Sequence, residues 1–351
     1  MAAYLKALSM ISAQDTFGQS AMAEVPVKSE NSCFQIHPCN YKEYIPAASL
    51  RRMSRLVRFS LTSALDCFKQ LEDLSPDAII TTTGLGCLDD TLTFLTQMHQ
   101  NGEKLLNPSA FISSTHNAVG GQIALLKKLH IPNLTHTQKE ASFETGLVEA
   151  MMMLEDGEAN NVLVGGFDEI TPLTIDLWKQ MGCLSMKATD KNTLLSANNK
   201  GVLLGEGAGF FVLSSDATAS CRSVLVGVEV KHSSSEELDS LTTKFLTKYK
   251  LNSTDIDLLI LGLDGTSNTL NLLDLMNANF EEATIAGFKH LSGCFNTDTS
   301  FALWLANSAI LNESIHQECC LRGNKDRKFD KVLIVNSSKA NSYSFNLVAK
   351  C

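Results

Sequence analysis

No run of apolar residues in this chain is long enough to cross a bilayer, and its first twenty residues lack the basic start and apolar block of a secretory signal. There is no excess of positive charge. Lys and Arg number 29 against 38 Asp and Glu, a formal net charge of −9, which argues against a phosphate-reading nucleic-acid surface. The same acidity makes the surface a poor main dock for an acidic carrier protein. No CxxC pair occurs among the ten cysteines, and Cys319 and Cys320 are adjacent, a poor disulfide pair, so the expectation is a reduced, cytoplasmic protein. The eight histidines and ten cysteines show no metal-ligand spacing, so neither a metal nor a cofactor is expected. No linker rich in Pro or Gly divides the chain, which points to one compact body.

What is present is an ordinary globular composition: 351 residues, 44% hydrophobic and 19% charged. DAIITTTG (77–84) is a short apolar, β-branched run ending at glycine and predicts a buried strand. LDDTLTFLTQMHQNG follows at helical spacing and stops at Gly102. AFISST leads into the helix-like AVGGQIALLKKL, IPNLTHT gives a short strand, and Phe143–Glu155 a helix with Gly157 near its end. NNVLVGGFDE reads as a strand whose paired glycines permit close backbone approach. After a polar stretch (184–200), GVLLGEGAGFFVLSS reads as a glycine-interrupted strand pair.

The alternation then repeats. CRSVLVGVEV and DIDLLILGLDG predict strands, with helices in SSEELDSLTTKFLTKYK and TLNLLDLMNANF. TIAGFKHLSGC leads into the helical TSFALWLANSAIL, and KVLIVNSS and FNLVAK close as strands. Two successive βαβαβ halves, 1–217 and 218–351, predict an α/β protein of layered sheets with helices between and outside them.

In this order the landmarks resemble the β-ketoacyl synthase family, with its thiolase fold of two duplicated halves in an αβαβα arrangement. The similar segments are RRMSRLVRFSLTSAL, GLGCLDD, FISSTHNAVGGQIAL, GEANNVLVGGFDE, GVLLGEGAGFFVL, LGLDGTSN and KHLSGC. The resemblance implies a cysteine nucleophile at the start of a buried helix, where the helix dipole favours a thiolate, and two histidines that assist decarboxylation of a malonyl unit. Gly165 lies 25 residues after Glu140, the separation at which the family carries its cysteine; the downstream serine of that motif falls on Ser142. The first histidine falls on Asp264 and the second on Cys294, while the lysine ahead of the second is retained as Lys289. The closing loop NSSKANSYSFN departs from the family's Phe-Gly-rich turn.

A carboxylate is a far weaker acyl acceptor than a thiolate, and no imidazole stands at either helper position. The resemblance therefore implies the inactive chain-length-factor type, found with polyketide, aryl-polyene and flexirubin-type pathways. Such a subunit forms a heterodimer with an active ketosynthase, meets the acyl carrier protein mainly through that partner, and helps shape the acyl tunnel. Leu92, Phe94 and Met98, with Thr115, His116 and His136, are the implied tunnel or interface residues. The alternatives are a malonyl-decarboxylating priming subunit, in which Glu140 has a chemical role, and a purely structural partner.

Each residue also has a plainer reading. Glu140 is an acidic residue ahead of a helix, where it suits the dipole. His116 sits beside Ser113 and Ser114, but no Gly-x-Ser-x-Gly elbow accompanies it, so packing is the favoured role. Cys294, between Gly and Phe, reads as a buried inert thiol. GEGAG lies between two strand-like pieces rather than before a helix, which excludes a phosphate cradle. The Met151-Met152-Met153 triplet can turn only part of itself to the core.

Overall fold

The chain was analysed as a computed structural model, which describes residues 2–23, 32–71, 75–106, 108–185, 191–217, 221–232, 237–337 and 342–351. The first half opens with β1 (Ala3–Ile11), β2 (Cys33–Phe34), α1 (Ala47–Leu50) and α2 (Arg55–Gln70). Then come β3 (Ala78–Thr82), α3 (Leu88–Gln100), α4 (Pro108–Ser113), α5 (Ala118–Lys127), β4 (Asn133–His136) and α6 (Ser142–Glu155). It closes with β5 (Asn161–Asp168), α7 (Pro172–Gln180), α8 (Lys191–Ser196), β6 (Leu204–Gly205) and β7 (Gly207–Ser214). The second half runs through β8 (Ser223–His232), α9 (Leu238–Lys248), β9 (Leu258–Leu261), α10 (Leu270–Ala278) and β10 (Thr284–Gly287). It ends with α11 (Lys289–Ser292), α12 (Thr299–Asn312), β11 (Cys320–Arg322), β12 (Lys331–Ser337) and β13 (Ser342–Lys350).

Strand order exposes the duplication. Running in to the seam, the first half has the order β4-β3-β5-β7-β1 and the second, inside its added edge strand β11, the order β10-β9-β12-β13-β8, the same succession in both. The directions match too: β4-β3-β5 and β10-β9-β12 are parallel, and the last two strands of each half are antiparallel to their neighbours. A three-residue pairing of β1 with β8, Ala3↔Leu225 to Leu5↔Ser223, joins the halves into one eleven-stranded sheet. The sequence reading began its strands at residue 77 and missed β1. This strand is central because it pairs with both β7 and β8.

Three apolar layers explain why these segments fold as they do. α2 and α5 cover the outer face of the first half through Phe59, Leu61, Val119 and Ile123. α9 and α10 cover the outer face of the second through Leu241, Phe245, Leu272 and Met276. Between the halves lie α6 and α12, packing Phe143 and Leu147, with Phe301 and Leu305, against Ile80, Val164, Ile260 and Ile334. This is the expected αβαβα stacking. In α12 every residue from Thr299 to Ile310 is buried, as an apolar helix without a polar face requires.

The cysteines depart from expectation once. The β8–β13 register, which pairs Ser223 with Lys350, brings Cys221 and Cys351 together as a disulfide with Cα atoms 6.3 Å apart. Sequence spacing carried no sign of a contact across 130 residues. The residue boundary expected between the halves falls between β7 and β8, where 218–220 lie outside the described residues; so do 338–341 of the closing loop.

Candidate functional site

A cavity of about 120 Å³ opens where the two halves meet. Both central helices aim their N-terminal ends at it: Glu140 lies just ahead of α6, Asp298 is the cap of α12, and both line the wall. Glu140, Asp264, Lys289 and Cys294, which lie far apart in sequence, all line this one cleft. Its remaining wall is mostly apolar and includes Ile170, Trp178, Leu204 and Phe295.

Each of the four is placed by local chemistry. Glu140 lies in a 3₁₀ turn, Lys139–Ala141, whose first residue takes the left-handed φ of 50°. The turn is fixed by fully buried Ser142, whose hydroxyl accepts from the Gln138 N–H at 2.7 Å and lies 2.7 Å from the Lys139 carbonyl. Ser142 thus serves as a turn staple, and the exposed carboxylate of Glu140 is left free to face the cleft. Asp264 follows β9 and folds its own turn: Oδ1 accepts from the Thr266 N–H at 2.8 Å and the Thr266 hydroxyl at 2.7 Å.

Cys294 is held by its backbone. Its N–H donates to the Leu203 carbonyl at 2.7 Å, and its carbonyl accepts from the Gly205 N–H at 3.0 Å. A Cβ on Gly205 would lie 2.1 Å from the Ser292 carbonyl oxygen, so the glycine of the GEGAG segment is required for this close approach. The half-buried thiol sits at a strand bridge and not at the start of a long helix.

Lys289 forms a buried ion pair with Asp298 at 3.1 Å. Burial alone would pull the Lys289 ammonium down, but Asp298, Cys294 and Asp264 outweigh it and hold the lysine protonated. Burial pushes Asp298 up, and Lys289 pulls it part of the way back.

Sequence reasoning passed over three acids beside this group. Asp168 accepts four hydrogen bonds, from the Thr83 hydroxyl, the Gly84 N–H and both the N–H and hydroxyl of Thr297. Burial still pushes it up to about 6. Glu169 accepts from the Asp89 N–H at 3.0 Å, and burial pushes it up to about 7. Buried Glu206 accepts from two guanidinium nitrogens of Arg55 and from the N–H groups of Ile36 and Ile170, tying three segments to the cleft rim. The only sequence sign of these acids was the run Asp168-Glu169 after the paired glycines, and Glu206 inside GEGAG.

The expected interface residues form a separate group, and none of them lines the cleft. Leu92, Phe94 and Met98 are half-buried on α3, where the Phe94 ring centroid stands 5.4 Å from that of Phe111. Thr115 and His116 are exposed between α4 and α5. The His116 ring packs on the left-handed turn at Gly86, where a Cβ would come within 2.8 Å of it. His136 ends β4 half-buried, with its Nε2 buried and unpartnered.

Residues 28–199, just under half of the chain, match the model of the β-ketoacyl synthase N-terminal domain. The chain superposes along its whole length on the ishigamide ketosynthase/chain length factor, with a TM-score of 0.80, 99% of that chain covered and 17% identity. The chain is a thiolase-fold, ketosynthase-like protein. A second structural relative of this ketosynthase-like chain is the ketosynthase ApeO in complex with its chain length factor ApeC from Xenorhabdus doucetiae. There the TM-score is 0.78, with 13% identity over 99% of this chain and 98% of that one. In sequence, the chain is 33% identical over 114 residues to nodulation protein E of Rhizobium leguminosarum bv. trifolii and 30% identical over 120 residues to that of Rhizobium meliloti. These matches take in 32% and 34% of this chain, and only 28% and 29% of the relatives' own length. Among the described residues, no helix is long and apolar enough to cross a membrane, and no group of three His, Cys, Asp or Glu could hold a metal ion.

Proposed function

We propose that this ketosynthase-like chain is a non-catalytic subunit of the chain-length-factor type. It pairs with an active β-ketoacyl synthase and shapes the acyl tunnel of that partner during polyene or polyketide chain elongation. The observation that carries this reading is the composition of the cleft. Carboxylates of Glu140 and Asp264 and the bridge-held Cys294 occupy it, where the family reaction needs a helix-start thiolate and two imidazoles.

The surface of the first half supports the pairing. α3 and α4 bury none of their side chains in this chain alone, and Leu95, Phe111, Ile112 and Leu134 are exposed on or near them. Among the described residues β4 pairs on one side only, leaving an open edge. A partner covering this face would reach Leu92, Phe94, Met98, Thr115, His116 and His136. Two of the fold relatives, the ishigamide ketosynthase/chain length factor and ApeO with ApeC, bring a ketosynthase and a chain length factor together.

The test is co-expression with a ketosynthase bearing an intact Cys-His-His set. A stable complex is expected, with malonyl turnover that survives Glu140→Ala, and with product length that changes when Phe94 is enlarged to Trp or shortened to Ala. Each buried CH₂ of the growing chain contributes roughly 0.8 kcal/mol, so one bulky side chain is enough to set a limit. Release of acetyl-carrier product by the purified chain alone, lost in Glu140→Ala, would replace this reading with the priming enzyme.

A further inference from the structure

All 38 acidic residues of this chain lie outside one stretch. Residues 104–139 contain neither Asp nor Glu, but four lysines, Lys104, Lys127, Lys128 and Lys139, and three histidines, His116, His130 and His136. The fold makes this stretch the rim of the first half, since it supplies α4, α5 and the edge strand β4. The Asn133 side-chain amide of β4 donates to the Gly120 carbonyl of α5 at 2.8 Å, and Phe111 of α4 packs on Phe94 of α3. Leu105, Phe111, Ile112, Leu125 and Leu134 are exposed here, and so are all four lysines.

Among the described residues none of the four lysines takes part in an ion pair. In the second half, by contrast, Lys231, Lys248, Lys289, Lys325, Lys328 and Lys350 each meet a carboxylate. Helix electrostatics do not account for the excess. Lys127 and Lys128 suit the C-terminal end of α5, but Lys139 stands just ahead of α6, where the dipole disfavours a cation. Acids border the stretch without entering it: Glu103 precedes it, Glu140 follows it and lines the cleft, and Asp89 and Asp90 stand in the first turn of α3.

We propose that this rim is an electropositive docking face whose occupant is a ketosynthase-type subunit with an acidic border around an apolar centre, and that its charge bars a second copy of this chain. The identity of the partner rests on the function proposed above. A twofold pairing of copies sets the same unpaired lysines against one another, whereas an acidic partner neutralises them. The open edge of β4 calls for a polypeptide, because a strand can take up its free N–H and C=O groups and a lipid surface cannot. The net charge of −9 conceals this face, since it averages the rim with the acidic remainder.

Affinity for an active ketosynthase, read by sedimentation across salt concentrations, tests the charge. It is expected to weaken about tenfold between about 50 mM and 300 mM salt. Lys104→Glu with Lys128→Glu is expected to weaken it about a hundredfold at the lower salt and to flatten the salt dependence. Lys200→Glu with Lys250→Glu, exposed outside the stretch, should behave as the parent, and matched unfolding midpoints show that both variants fold. Alone, the parent is expected to sediment as a monomer at the lower salt. Pairing that ignores both salt and the Lys104→Glu, Lys128→Glu change overturns the charge selection and leaves the pairing function standing. A parent homodimer at the lower salt that Leu134→Lys dissolves overturns it too, because the face then accepts its own copy. Absence of a ketosynthase complex at every salt overturns the function proposed above and this occupant with it. Binding to phosphatidylserine vesicles, lost in Lys104→Glu with Lys128→Glu, then gives the face to an anionic membrane.

Discussion

The two halves of this chain share a strand order and differ at their outer edges. In the second half β10 is closed off by β11, and Thr284–Gly287 are buried throughout. In the first half the equivalent strand, β4, ends the sheet with Asn133 and Leu134 exposed, beside two helices that bury nothing. One architecture has thus been finished twice, once as an interior wall and once as a surface with exposed apolar residues. Natural sheets seldom leave such an edge uncovered, so in the proposed pairing the first half supplies the docking face, while the second is closed by its own strand.

Matched substitutions should break this symmetry in order of size. Ile285→Lys places an unpaired ammonium in the buried wall of the second half and is expected to cost more than about 4 kcal/mol, read by denaturant unfolding. Lys289→Met leaves Asp298 buried without its partner, with an expected cost of about 3–5 kcal/mol. Because protonated Asp298 is tolerated better than the bare carboxylate, the loss in this variant should shrink as pH falls; an equal loss at pH 5 and pH 8 would show that the pair contributes no charge. Phe94→Ala removes a half-buried ring that touches Phe111 and should cost about 1 kcal/mol or less in the chain alone. Leu134→Lys, on the open edge, should change isolated stability by less than about 0.5 kcal/mol and yet abolish pairing with a ketosynthase partner. Edge substitutions that cost the same in both halves would erase the distinction.

Most of the layered fold was legible because each half alternates short apolar runs with helical spacing. β1 was not legible. AYLKALSMI is rich in Ala, Leu, Lys and Met, which favour helices, and only its pairing to β7 and β8 makes it a strand. The resemblance had singled out Glu140, Asp264, Lys289 and Cys294, and the fold brings all four to one cleft. The acids that organise it could not. Glu206 reads in sequence as part of a glycine loop, and its bond to Arg55 spans 151 residues. Glu169 reads as the polar end of a strand, and only the fold sets α3 beside it.

The burial of α12 from Thr299 to Ile310 also bears on how the molecule is made. During synthesis the first half emerges with the inner faces of β3, β5 and α6 complete but with nothing to lie against them. The helix that covers them, Thr299–Asn312, arrives late and is too apolar to stand alone in water. Until then the nascent chain displays one open apolar wall in addition to the exposed apolar residues of α3, α4 and β4. Its need for chaperones, and its tendency to aggregate when truncated before residue 299, should therefore exceed what the stability of the finished protein would suggest.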